Sequence, residues 1–120
     1  MNYTEEQKVI AWKAAQEVEG YNPDRYRKDA CGAWIAWDKY GSQDNIFGWQ
    51  IDHIYPKSKR GDDNPLNLRA LHYKNNQSKG DDYPSYYGEV TSDGNTNKIE
   101  RQVFTVNHDK QAQLKKIYNF

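Results

Sequence analysis

Seventeen aromatic side chains, four Trp, ten Tyr and three Phe, supply most of the apolar surface available to this 120-residue sequence. They sit in a chain of mean hydropathy −1.19 in which only 36% of residues are hydrophobic. Any fold must therefore be built on a small core of packed rings, and so many rings exclude a disordered, solvating chain. One core usually serves about 100–200 residues, so residues 1–120 are expected to form one domain. No apolar run approaches the roughly 18 residues of a membrane span. The start, Asn2-Tyr3-Thr4-Glu5-Glu6, lacks the basic and apolar stretches of a secretory leader. The single cysteine, Cys31, can form neither an internal disulfide nor a multi-cysteine zinc cage, and the expected setting is a reducing cytoplasm.

Charge is informative only by position. Seventeen bases balance 17 acids, and a net charge of zero speaks at first against a nucleic-acid partner. The balance is uneven along the chain. Residues 51–80 hold Lys57, Lys59, Arg60, Arg69, Lys74 and Lys79 against Asp52, Asp62 and Asp63, whereas the first 20 residues are acidic. A local basic patch attracts phosphate even on a neutral molecule.

Thr4-Glu5-Glu6-Gln7 reads as a capping box, and the spacing of Val9, Ile10, Trp12, Ala14 and Val18 predicts a helix ending at Gly20. Residues 30–37 are short and apolar, and read as strand-like or irregular. Gly48 to Tyr55 alternates apolar and polar residues, the pattern of a half-buried strand, and Pro56 ends it. After a polar loop, Leu66 to Tyr73 reads as an antiparallel return strand, and Tyr73 to Lys79 as a short helix stopped by Gly80. Residues 81–88 read as a linker, 89–91 and 101–106 as a hairpin around Asp93-Gly94-Asn95, and Asn107 as the cap of a final helix. The fold class is α+β.

The residues suited to chemistry fall in 49–81. Histidine titrates nearest neutrality among the side chains, which suits His53 to proton abstraction. A neighbouring carboxylate, Asp52, and an amide from the later helix, Asn76 or its neighbour Asn75, offer hard oxygen donors of the kind that hold Mg²⁺ or Mn²⁺. In a regular strand Asp52 and His53 point to opposite faces, so both serve one phosphate only if the strand distorts or the loop wraps round its end.

The stretch Ile51-Asp52-His53-Ile54-Tyr55-Pro56, then Asn67-Leu68-Arg69-Ala70-Leu71-His72, then Asn75-Asn76-Gln77-Ser78-Lys79-Gly80-Asp81 resembles the HNH endonucleases. Upstream, Arg27 to Ile35 and Gly48-Trp49 also look like a small bacterial and phage type of that family. The resemblance implies a ββα-metal (His-Me finger) motif with its core at 48–81, flanked by N- and C-terminal helices and a C-terminal β-hairpin. It implies that His53 is the general base. It makes Asp52 and Asn76 the metal ligands, with His72 a further candidate, and has Asn67 hold the hairpin loop and orient His53. One divalent ion per site is implied, Mg²⁺ or alternatively Mn²⁺, Ni²⁺ or Zn²⁺. Many relatives carry half of a zinc knuckle where His72 and Asn75 stand here, and core packing is expected to replace it. Lys57, Lys59, Arg60 and Lys79 are the candidate DNA contacts, Lys79 being equally readable as a solvated side chain.

Trp34, Trp37 and Trp49 read as core, Cys31 as a small buried hydrophobe and His108 as structural. The expected function is metal-dependent hydrolysis of DNA phosphodiesters, nicking one strand per site, so that cutting both strands needs a dimer or two encounters. The rival is a nucleic-acid-binding module that keeps the scaffold without cleaving.

Overall fold

The computed structural model describes residues 2–120. The elements run α1 (Glu5–Lys13), β1 (Tyr26–Lys28), β2 (Trp34–Ala36), β3 (Trp49–His53), β4 (Leu68–His72), α2 (Tyr73–Lys79), β5 (Ser85–Asp93), β6 (Thr96–Thr105) and α3 (His108–Tyr118). The strands pair antiparallel as three two-stranded sheets, β1–β2, β3–β4 and β5–β6. The chain is thus α+β, with helices packed on small antiparallel sheets. No helix among the described residues is long and apolar enough to cross a membrane.

The capping box forms: the Thr4 hydroxyl accepts from the Gln7 amide at 3.0 Å, and the Gln7 side chain accepts from the Thr4 amide at 2.9 Å. The helix then stops at Lys13, seven residues before the expected Gly20. The cause is non-local. Arg27 Nη1 donates to the Ala15 carbonyl at 3.1 Å and to the Lys13 carbonyl at 3.5 Å, capturing oxygens that a continuing helix would use. Gln16 meanwhile bridges to Lys28, exchanging backbone hydrogen bonds of 2.8 and 3.0 Å.

Two apolar clusters flank the β3–β4 pair. On one face Ala11, Trp12 and Ala15 pack against Trp49, Ile51, Leu68, Ala70 and Ile35. The Trp12 and Trp49 rings lie 5.2 Å apart; Trp49 and Trp34 are buried as expected, whereas Trp37 is only partly buried and packs against the edge of this cluster. The second cluster joins Leu71 to Cys31, Ile54, Tyr86, Val106 and Leu114. Burial pushes the Cys31 thiol up to about 12, as befits an inert buried hydrophobe.

The segment expected to be a linker corrects itself from Ser85 onward: β5 starts there and pairs as far as Ser85 with Thr105, with an irregularity between Gly88 and Val90. Gly88 tolerates no side chain, since a Cβ there would meet Phe104 at 2.7 Å and Cys31 Sγ at 2.9 Å. Asn107 caps α3 by accepting from the Lys110 amide.

Candidate active site

Strand β3 is regular through its whole length, pairing Trp49 with His72, Ile51 with Ala70, Asp52 with Arg69 and His53 with Leu68. The alternation therefore holds: His53 lies on the α1 side with Trp49 and Ile51, and Asp52 lies on the α2 side with Gln50. The strand does not distort; the loop after it wraps round its end.

That loop, residues 54–67, is fastened by Asn67. The fully buried Asn67 side chain donates from Nδ2 to the carbonyls of Tyr55 and Asp62, both at 3.0 Å, and accepts at Oδ1 from the Tyr55 amide at 2.7 Å. Its backbone carbonyl accepts from Ile54 at 2.9 Å. Both branches of the loop are thus tied to one amide. Gly61 lets them close, since a Cβ there would lie 1.8 Å from the Tyr55 carbonyl oxygen. Asp62 is fixed from outside by Tyr118, whose hydroxyl donates to Oδ1 at 2.6 Å while accepting from the Asp62 amide at 3.2 Å. The bond holds the Asp62 carboxyl below its usual range, and burial together with Asp62 pushes the Tyr118 phenol up to about 12. Phe120 stacks on Tyr55 at 4.3 Å, covering the same loop.

On the α1 side, His53 Nε2 lies 2.7 Å from Asp63 Oδ1, and Nδ1 lies 3.5 Å from the Tyr3 hydroxyl. The His53 side chain is 11% exposed and the Asp63 side chain 44%. Lys57, Lys59 and Arg60 are exposed on the turn that follows Pro56, with Arg60 in the left-handed conformation at φ 78°. They share the loop with Asp62 and Asp63, which temper its positive field.

On the α2 side, Asp52 is 4% exposed and doubly paired, with Arg69 Nε at 2.9 Å and Lys79 Nζ at 3.2 Å. Lys79 also donates to the His53 carbonyl at 3.2 Å. The expected DNA contact at Lys79 is corrected here: the side chain is turned inward by the Asp52 carboxylate and has no outlet to solvent, and burial lowers its pKa. Arg69 lies over the Tyr86 ring at 5.2 Å, with its buried Nη2 lacking a hydrogen-bond partner. One rung along, Asn76 donates to Gln50 Oε1 at 2.8 Å.

Asn75 and Asn76 differ in occupancy. Asn75 spends its whole amide on structure, donating to Asp29 and the Val90 carbonyl and accepting from the Glu89 and Val90 amides. His72 is likewise committed: Nδ1 accepts from the Lys74 amide at 3.1 Å, capping α2, which leaves Nε2–H to donate to the Ile46 carbonyl at 2.9 Å. Both nitrogens are used, so His72 has no lone pair for a metal, and burial lowers its pKa. Where the resemblance implied a zinc knuckle or its replacement stands Asp29. This fully buried carboxylate accepts from the amides of Cys31, Ala33 and His72 and from Asn75 Nδ2, all within 2.8–3.0 Å, lashing the 29–33 turn to the start of α2.

A divalent ion needs several hard donors with unbalanced negative charge. The donors on the α2 side are hard oxygens, the right kind. Their charge is wrong, because the one carboxylate among them already neutralises two buried cations, and freeing it would strand Arg69 or Lys79. Among the described residues no three His, Cys, Asp or Glu gather to hold an ion. As arranged here, Asp52, Asn76 and Gln50 do not fit a divalent cation.

Sequence reasoning missed Tyr3, Gln50, Asp63 and Arg69. Arg69 alone left a usable signal, since an antiparallel return strand sets an opposite charge across from Asp52. Compared with known proteins, no curated protein and no solved structure matches the chain. Residues 41–85, which span β3, the fastened loop, β4 and α2, match the family model described as HNH endonuclease, and that match supports an HNH endonuclease assignment.

Proposed function

We propose that residues 1–120 act as one HNH-type nuclease domain that hydrolyses DNA phosphodiesters in a cytoplasmic setting, with His53 as the base that activates water. The observation that carries this reading is the contrast among the site's polar side chains: His72, Asn75 and Lys79 are consumed by the fold, while His53, at the end of β3, meets the fastened loop through Asp63, and the same loop exposes Lys59 and Arg60. Water loses a proton to the imidazole, its oxygen attacks phosphorus in line, and the bond to the 3′ oxygen breaks, leaving 5′-phosphate and 3′-hydroxyl ends. Asn67 supports this by fixing the loop. HNH nucleases generally use divalent metal ions, so cleavage is measured with the metal varied.

Conversion of supercoiled plasmid to nicked circles is measured with Mg²⁺, Mn²⁺ or Ni²⁺ for the wild type and His53→Ala. Nicking by the wild type that His53→Ala lacks is the expected result. Intact plasmid under all three metals defeats the enzyme reading. A second reading, a DNA-binding module without cleavage, is favoured by one observation, the closure of Asp52 by Arg69 and Lys79. It expects retarded DNA in a gel shift and no nicking.

A further inference from the structure

We propose that Asp63 is a positioning residue for His53: it holds the Nε2–H of the imidazole and so presents Nδ1 as the atom that accepts the proton from water. The proposal deepens the reading of His53 as general base and rests on it.

Two contacts on opposite sides of the ring agree on the tautomer. The 2.7 Å separation between His53 Nε2 and Asp63 Oδ1 is that of a charge-assisted hydrogen bond, and a carboxylate can only accept, so Nε2 carries the hydrogen. On the other side stands the Tyr3 hydroxyl, 3.5 Å from Nδ1. Burial, with Asp63 adding to it, pushes the Tyr3 phenol up to about 12, so it keeps its proton near neutrality and faces Nδ1 as a donor. The Nδ1 lone pair is the acceptor that both neighbours imply. At 3.5 Å the Tyr3 contact is at the outer limit of a hydrogen bond, so a water taking its place displaces little.

Asp63 is not a stray surface acid. Its neighbour Asp62 is bonded by Tyr118 through side chain and backbone and by Asn67 through its carbonyl, and Asn64 donates its amide to Asp62 Oδ1 at 3.1 Å. Residues on both sides of Asp63 are therefore fixed, which sets where its carboxylate reaches. When water transfers its proton to Nδ1, the new O–P bond forms and the bond to the 3′ oxygen breaks. The leaving oxygen takes a proton from solvent, and the doubly protonated imidazolium lies against the Asp63 carboxylate, as a histidine does beside the carboxylate of a catalytic triad.

The test compares Asp63→Asn, Asp63→Ala and Asp63→Glu with wild type in the plasmid assay, with Glu100→Gln as a control for losing one surface negative charge. Nitrogen NMR of the histidine rings runs alongside. The expected results are a fall in kcat of about 100-fold for Asp63→Asn with KM changed less than threefold, and recovery of at least tenfold in Asp63→Glu. Glu100→Gln should match wild type. The wild-type His53 ring should be the Nε2–H tautomer, and Asp63→Asn should lose that preference. Cleavage by Asp63→Asn equal to or faster than wild type overturns the proposal, as does an Nδ1–H tautomer in wild type or an effect confined to KM. If His53→Ala cleaves normally the general-base reading fails instead, while the NMR measurement still judges the Asp63 contact by itself.

Discussion

The two faces of strand β3 solve opposite problems. On the α2 side Asp52 is shut in between Arg69 and Lys79, and every charge there is answered by another buried charge. On the α1 side His53 meets a half-exposed carboxylate and a phenol at long range. A closed ion cluster contributes to a unique fold, or at least penalises its own disruption; a partly open one leaves a lone pair for chemistry. The comparison teaches that adjacent residues of one strand can be assigned to stability and to reactivity by alternation alone.

The assignment breaks most visibly at His53. His53→Ala should slow plasmid nicking by about 10²–10⁴-fold, the range for loss of a general base, with an unchanged melting temperature; a large fall in melting with little loss of rate would reverse the two faces. Asp52→Ala should behave the other way and destabilise by about 3–5 kcal/mol in urea denaturation, because two buried cations lose their partner. Replacing Asp52, Arg69 and Lys79 together by apolar residues of similar volume should recover most of that loss, which sharpens the claim that charge, not shape, is at stake. Asn75→Ala should cost about 3 kcal/mol by the same measurement, since Asp29, Glu89 and Val90 each lose a buried partner.

A smaller effect comes with pH. His72 is buried neutral with its pKa lowered in the folded state, so the unfolded chain binds the extra proton first. Stability should hold above pH about 6.5 and decline as pH falls below it, and His72→Asn, which can still cap α2, should flatten that decline. The smallest expected change concerns the loop cations. Replacing Lys59 and Arg60 by Gln should lower the salt dependence of duplex binding by about two in log–log slope, measured by anisotropy titrations at several salt concentrations. No change would remove those two side chains from the DNA-facing surface.

What the sequence made legible was local. Strand β3 follows from its alternation and from Pro56, α2 from its length and Gly80, and the ends of α1 and α3 nearest Thr4 and Asn107 from cap chemistry. What it hid depends on distant partners. The end of α1 is set by Arg27, fourteen residues beyond Lys13. The start of β5 depends on pairing Ser85 with Thr105, and nothing near Ser85 announces it. In the site the spacing from Asn67 favours Asn76 over Asn75, while the structure fills the Asn75 amide completely and engages Asn76 only with Gln50, a difference that depends on partners distant in sequence. The inward turn of Lys79 was invisible because helix spacing gives its face but not the buried carboxylate awaiting it. Asp63 was invisible because a loop's path is set by closure, here the stitches made by Asn67, and no periodicity encodes that.

Those stitches have a neighbour at each end of the chain. Tyr3 touches His53, while Tyr118 and Phe120 bear on Asp62 and Tyr55. Residues far apart in sequence thus bear on His53 and on the loop that carries Asp63, so substituting Tyr3, Tyr118 or Phe120 should change the cleavage rate without altering His53 or Asp63 themselves.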